Sequence, residues 1–82
     1  WAEWCGPCRM LSPMVDQVAD AFAGRAKVVK VNVDQAPHAA QQNGVRSIPT
    51  LVFYKDGRPV DSVVGAVPRA QIEAKLNALL AD

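Results

Sequence analysis

The sequence has no long apolar run, no block of like charge, only one histidine and only one pair of cysteines. Its purely apolar stretches last a few residues, too short for a helix that crosses a membrane. Nine Lys and Arg stand against eight Asp and Glu, a net charge of +1, so no basic face for nucleic acid is expected. The N-terminal residues lack the basic-then-apolar pattern of a secretory signal. Aromatic residues make up 6 % of the chain, which leaves little bulk for a core. At 82 residues the chain is expected to be one domain, residues 1–82. A domain of that size buries only about 60–65 % of its unfolded surface, so its stability is marginal unless a staple or a partner adds to it. What is present is ordinary for a globular domain: half of the residues are hydrophobic and 21 % are charged.

Cys5 and Cys8 stand near the start with two residues between them. Closing so short a loop stabilises a fold by about 2 kcal/mol at best, so the pair points to chemistry more than to stapling. Downstream, Leu11, Met14, Val15, Val18 and Phe22 recur at helical spacing and predict a helix over 7–23. Pro7 suits its first turn, and Pro13 should kink it. Alternation of Val29, Val31 and Val33 with Val28, Lys30 and Asn32 predicts a strand over 27–33. A short helix over 37–43 is opened by Pro37 and stopped by Gly44. Strands over 50–55 and 59–65 flank an Asp56-Gly57 hairpin turn. The last helix, 68–81, turns Ile72, Leu76, Leu79 and Leu80 inward. Three strands and three helices give an α/β fold.

A Cys-x-x-Cys pair opening a helix has a mechanism. The helix N-terminus offers unpaired N–H groups and partial positive charge, which favour thiolate over thiol. The thiolate is the attacking species in disulfide exchange. Cys5, ahead of the helix, is expected to be the exposed nucleophile, and Cys8, one turn in, the more buried resolving thiol. Two other readings stand beside this one. The pair could be half of a four-ligand metal site completed by a second chain, or an inert remnant.

The string Trp4-Cys5-Gly6-Pro7-Cys8 resembles the active site of the thioredoxin family. The resemblance extends through Trp1-Ala2-Glu3, Pro13, the Lys30-to-Asp34 stretch, Ile48-Pro49-Thr50, Lys55-Asp56-Gly57 and Val64-Gly65-Ala66. It implies a protein-disulfide reductase in which Cys5 attacks and Cys8 resolves. It further implies that Trp4 shields the pair, and that Trp4, Gly6, Pro7, Ile48, Pro49 and Gly65 contact the substrate chain, with a cis bond before Pro49. Disulfide-bearing proteins are the implied substrates and thioredoxin reductase the implied electron donor. No cofactor or metal is called for, and the Gly6-Pro7 pair, similar to that of the reducing members, implies a cytoplasmic setting. A redox-inert binding or assembly module that keeps the groove, or a dimer bridging a metal through its cysteines, are the alternatives.

The chain departs from the family pattern in one place. The family places a strand, a helix and a second strand ahead of its motif, whereas here only Trp1-Ala2-Glu3 precede Trp4. The resemblance thus implies a truncated thioredoxin-like fold without the first strand, the first helix and most of the second strand. That second strand normally lies between the counterparts of 27–33 and 50–55 and carries a buried aspartate near the lysine that Lys30 matches. Lys30, a modulator of Cys8 or a plain strand charge, therefore lacks its expected partner. Open edges at 27–33 and 50–55 should pair with each other, pair with a second copy, or leave a loosely folded chain, and a homodimer is the expected outcome. His38 and Arg46 are expected at the surface, Met10 and Met14 in the core, and Asp34 in a turn.

Overall fold

The computed structural model describes residues 1–81. Helix α1 covers Gly6–Ala21 and is N-capped by Cys5, whose backbone is extended and whose Sγ accepts the amide proton of Cys8. Pro7 lies in its first turn, where no intrahelical donor is needed. Pro13 lies inside it and leaves the Arg9 carbonyl without its usual donor, yet α1 continues for two turns beyond. Helix α2 is Pro37–Gln42 and α3 is Arg69–Leu80. Strands β1, Thr50–Lys55, and β2, Arg58–Val64, form an antiparallel pair with Thr50 opposite Val64 and Lys55 opposite Arg58. The turn between them holds Asp56 at φ 54° and Gly57 at φ 79°. Two successive positive φ values are what a two-residue hairpin requires to match the twist of its strands.

The core forms where α1 and α3 lie against the hairpin. Leu11, Val15, Val18 and Phe22 on or just beyond α1 meet Phe53 of β1, Val63 of β2 and Ile72 of α3. Met14, Val28, Leu51, Leu76 and Leu79 pack around this cluster and are half-buried. A second cluster of Ala2, Cys5 and Cys8 sits against Val33 and Ile48.

The fold class is as expected, with one correction. The strand expected over 27–33 is not a strand here, and among the described residues the sheet has two strands, not three. Alternating valines supply β propensity, but a strand's hydrogen bonds come from a neighbour, and this segment has almost none. Beyond the turn bonds from Gln35 N and Ala36 N to the Asn32 carbonyl, its described backbone links are to Trp1, whose N donates to the Val31 carbonyl and whose carbonyl accepts from Val33 N, both at 2.9 Å. The segment is held instead by Val28 packed on the core and by Lys30 bound to α1. Val29 is left 69 % exposed. Segments 27–33 and 50–55 do not close on each other, and an apolar groove of ≈ 840 Å³ lies between them. The helices end short of the expected C-termini, α1 at Ala21 because the chain turns through Phe22 to Gly24 at φ 83°, while α1 begins one residue earlier than expected, at Gly6.

Candidate active site

Cys5 and Cys8 are joined as a disulfide, their Cα atoms 5.3 Å apart, within the ordinary range for a bridge. The helix makes this possible: the N-cap and the residue three on share one face of the first turn. In this oxidised state the Cys8 amide already points at Cys5 Sγ, 3.2 Å away. The first turn of α1 holds no acidic residue, so nothing opposes its partial positive charge there.

One expectation about the pair is corrected. Cys5 was expected to be exposed and Cys8 buried, yet both are 4 % exposed. The cause is packing: Ala2, fully buried, turns back on Cys5 through a bond from Cys5 N to its carbonyl, and Val33 and Ile48 cover the rest. Gly6 and Pro7, by contrast, are exposed.

The other expected residues divide into those gathered at the pair and those that are not. The Ile48–Pro49 bond is cis, Ile48 packs on the cysteine cluster, and Pro49 is buried. The Pro49 carbonyl accepts from Gly65 N at 2.8 Å, which ties Gly65, at φ 96°, to the same loop. Trp4, beside Cys5 in sequence, is 70 % exposed. Its indole Nε1 donates to Asp34 Oδ2 at 2.8 Å. Sequence reasoning gave Asp34 only a turn, and it does make one, its N–H bonded to Asn32 Oδ1. No local signal could link it to Trp4, thirty positions away. Lys30 is held to α1, with Nζ 2.6 Å from Ser12 Oγ and 2.7 Å from Asp16 Oδ1. These two groups of α1 are the side-chain partners of Lys30 among the described residues. Met10, expected in the core, is 78 % exposed because it falls on the outer face of α1, while Met14 is half-buried as expected. His38 and Arg46 are exposed.

Among the described residues no three His, Cys, Asp or Glu side chains come together as a metal site. Nor, among them, is any helix long and apolar enough to cross a membrane. What the arrangement can do is exchange disulfides: two thiols one turn apart, at a helix N-terminus, next to a buried proline loop.

Known proteins place this chemistry in a family. The family model described as Thioredoxin matches residues 1–78. Thioredoxin 1 of Synechococcus elongatus is 54 % identical over 77 residues, which is 94 % of this chain and 72 % of the relative. Thioredoxin of a Synechocystis strain is 51 % identical over 80 residues, 98 % of this chain and 75 % of the relative. Thioredoxin M4, chloroplastic, of Arabidopsis thaliana is 48 % identical over all 82 residues and 42 % of its own length. A family match over residues 1–78 and relatives at this level of identity mean that the chain belongs to the thioredoxin family and is a thiol–disulfide oxidoreductase that reduces protein disulfides.

Proposed function

We propose that Cys5 is the attacking thiolate and Cys8 the resolving thiol of this reductase. The observation that carries the assignment is the N-cap position of Cys5, with the Cys8 amide donating to its sulfur. The same N–H stabilises a thiolate on Cys5 in the reduced state, and charge-assisted bonds of this kind are the stronger ones. The Cys5 thiolate attacks one sulfur of a substrate disulfide, forming a mixed disulfide and releasing the other sulfur as a thiolate that takes up a proton. Cys8, deprotonated, then attacks Cys5 Sγ. The Cys5–Cys8 bond forms, the mixed disulfide breaks, and the substrate's second sulfur leaves as a thiol. Two electrons pass to the substrate in each cycle.

Family membership implies disulfide-bearing proteins as substrates and thioredoxin reductase as the donor that returns those electrons. Contacts of Trp4, Gly6, Pro7, Ile48, Pro49 and Gly65 with the substrate chain belong to the proposal. Its support is the exposure of Trp4, Gly6 and Pro7 and the link between the Pro49 carbonyl and Gly65. The reducing character of the Gly6-Pro7 motif supports a cytoplasmic setting. A homodimer through the edges at 28–33 and β1 is the second reading, supported by the gap between those edges.

Reduction of insulin disulfides with dithiothreitol as donor tests the assignment. Cys5→Ser should fall to the rate of dithiothreitol alone, and Cys8→Ser should accumulate a mixed disulfide that survives gel filtration. An active Cys5→Ser protein would reverse the roles. Light scattering at micromolar concentration decides the dimer, and a cooperatively folded monomer removes it.

A further inference from the structure

Asn43 is the only asparagine of the chain followed by glycine, and it lies where α2 ends and the loop to β1 begins. An asparagine–glycine step can react with itself. The Gly44 nitrogen attacks Asn43 Cγ and gives up its proton, a new C–N bond closes a cyclic imide, and the side-chain nitrogen leaves as ammonia. Water then opens the ring at either carbonyl and leaves aspartate or isoaspartate. No electrons are exchanged and water is the only co-reactant. Glycine favours the attack because no Cβ crowds its nitrogen, the same freedom that lets Gly44 sit at φ 68°.

The fold holds each reacting group away from that path. Asn43 is the C-cap of α2, at φ −92° and ψ 6°. At that ψ the Gly44 nitrogen lies beside Asn43's own nitrogen and points away from its Cβ, so Cγ is out of reach until the peptide plane turns. Two bonds resist the turn: Gly44 N donates to the Gln41 carbonyl and Val45 N to the Ala40 carbonyl, both at 3.0 Å. The carboxamide is tied at both ends. Its Nδ2 donates to the Ala39 carbonyl at 2.8 Å, and its Oδ1 accepts from the Tyr54 hydroxyl of β1. Each such bond stabilises by about 0.5–1.5 kcal/mol, so the cap can open locally while the core stays folded.

We propose that Asn43-Gly44 is a gated self-modification site, which deamidates when the C-cap of α2 opens and whose rate the Tyr54 and Ala39 bonds set. The product weakens the place where it forms. Aspartate at this position has no N–H to give to the Ala39 carbonyl, and it adds negative charge among the unpaired carbonyls that end α2. Isoaspartate lengthens the backbone ahead of Val45. Either change loosens the start of the loop that carries Ile48 onto the cysteine cluster. Modification at Asn43 therefore lowers the reduction of protein disulfides while Cys5 and Cys8 stay chemically intact.

The test follows the intact oxidised protein and the unstructured peptide acetyl-Gln-Gln-Asn-Gly-Val-Arg-amide in mildly alkaline buffer. Peptide mapping with mass spectrometry reads conversion at position 43. The folded protein should convert at least about tenfold more slowly than the peptide, and protein unfolded in guanidinium should match the peptide. Tyr54→Phe keeps the ring and loses the hydroxyl, and it should speed conversion of the folded protein about two- to tenfold. Circular dichroism and urea unfolding confirm that this variant is folded. Asn43→Asp should lower kcat/KM for insulin disulfides about threefold or more, and leave kcat/KM for a small aromatic disulfide within about twofold. The small disulfide separates this outcome from any failure of the thiol chemistry itself. The proposal is overturned by a folded rate equal to the peptide's, by an unchanged rate in folded Tyr54→Phe, or by full insulin activity in Asn43→Asp.

Discussion

Single side chains around the disulfide show how much a motif announces and how much it leaves to the fold. Trp4-Cys5-Gly6-Pro7-Cys8 was legible as redox chemistry because helix-start electrostatics act locally, within one turn. Burial of Cys5 was not legible, because Ala2, Val33 and Ile48 cover it from three separate stretches of chain. Nor was the bond from Trp4 to Asp34, which exists only because the turn after 28–33 comes to rest beside the motif. That bond orients the indole at the edge of the site while both partners stay in water. An exposed hydrogen bond adds about 0.5–1.5 kcal/mol at most. Asp34→Ala should therefore lower unfolding stability in urea by about 1 kcal/mol or less, while the indole gains mobility seen as a drop in tryptophan fluorescence anisotropy. A loss of several kcal/mol would mean that Asp34 carries the fold instead of the tryptophan.

At the level of elements, helices and hairpin were readable and the isolated segment was not. The apolar stripe from Leu11 to Phe22 fixes the buried face of α1, and Asp56-Gly57 fixes the turn between β1 and β2. Those signals are carried by the elements' own residues. The 27–33 segment has the valine alternation of a strand, but strand status needs a neighbour, and among the described residues its ladder bonds are the two to Trp1. Its attachment falls to Lys30, through Ser12 and Asp16. A second cross-element tie joins β2 to α3, where Lys75 Nζ lies 2.7 Å from Asp61 Oδ2. The Lys75 hydrogen bond, helped by the Ser62 N–H, holds the Asp61 carboxyl below its ordinary value of 3.8. A carboxyl lowered by folding stabilises the fold above its unfolded value and stops doing so as pH falls through the lowered one. Asp61→Asn should thus be less stable than the parent at neutral pH, and the gap should narrow steadily below pH 3.8. Urea titrations from pH 7 down to pH 2 give the comparison. A gap independent of pH would show that the Asp61–Lys75 pair contributes nothing through charge.

For the molecule as a whole, the question is whether so small a fold survives its own redox cycle. The radius of gyration is 12.3 Å, against about 11.7 Å for a typical compact chain of this length, in keeping with the open groove. Total stability for a domain of this size is about 4–12 kcal/mol. A structural disulfide closing a long loop would take a large share of that when reduced, and the enzyme would unfold at each turnover. Cys5 and Cys8 are only three positions apart, so the bond restricts the unfolded chain little, by about 2 kcal/mol at most. The main core of Leu11, Val15, Val18, Phe22, Phe53, Val63 and Ile72 contains neither sulfur. Both redox states should therefore be folded, with the reduced protein less stable by about 2 kcal/mol or less. Paired urea unfolding curves with and without excess dithiothreitol measure the difference, and equal slopes would show that the same surface is exposed in both. A reduced form that is unfolded in the absence of urea would mean that the bond staples this chain, and a reductase that unfolds on accepting electrons could not reduce its next substrate.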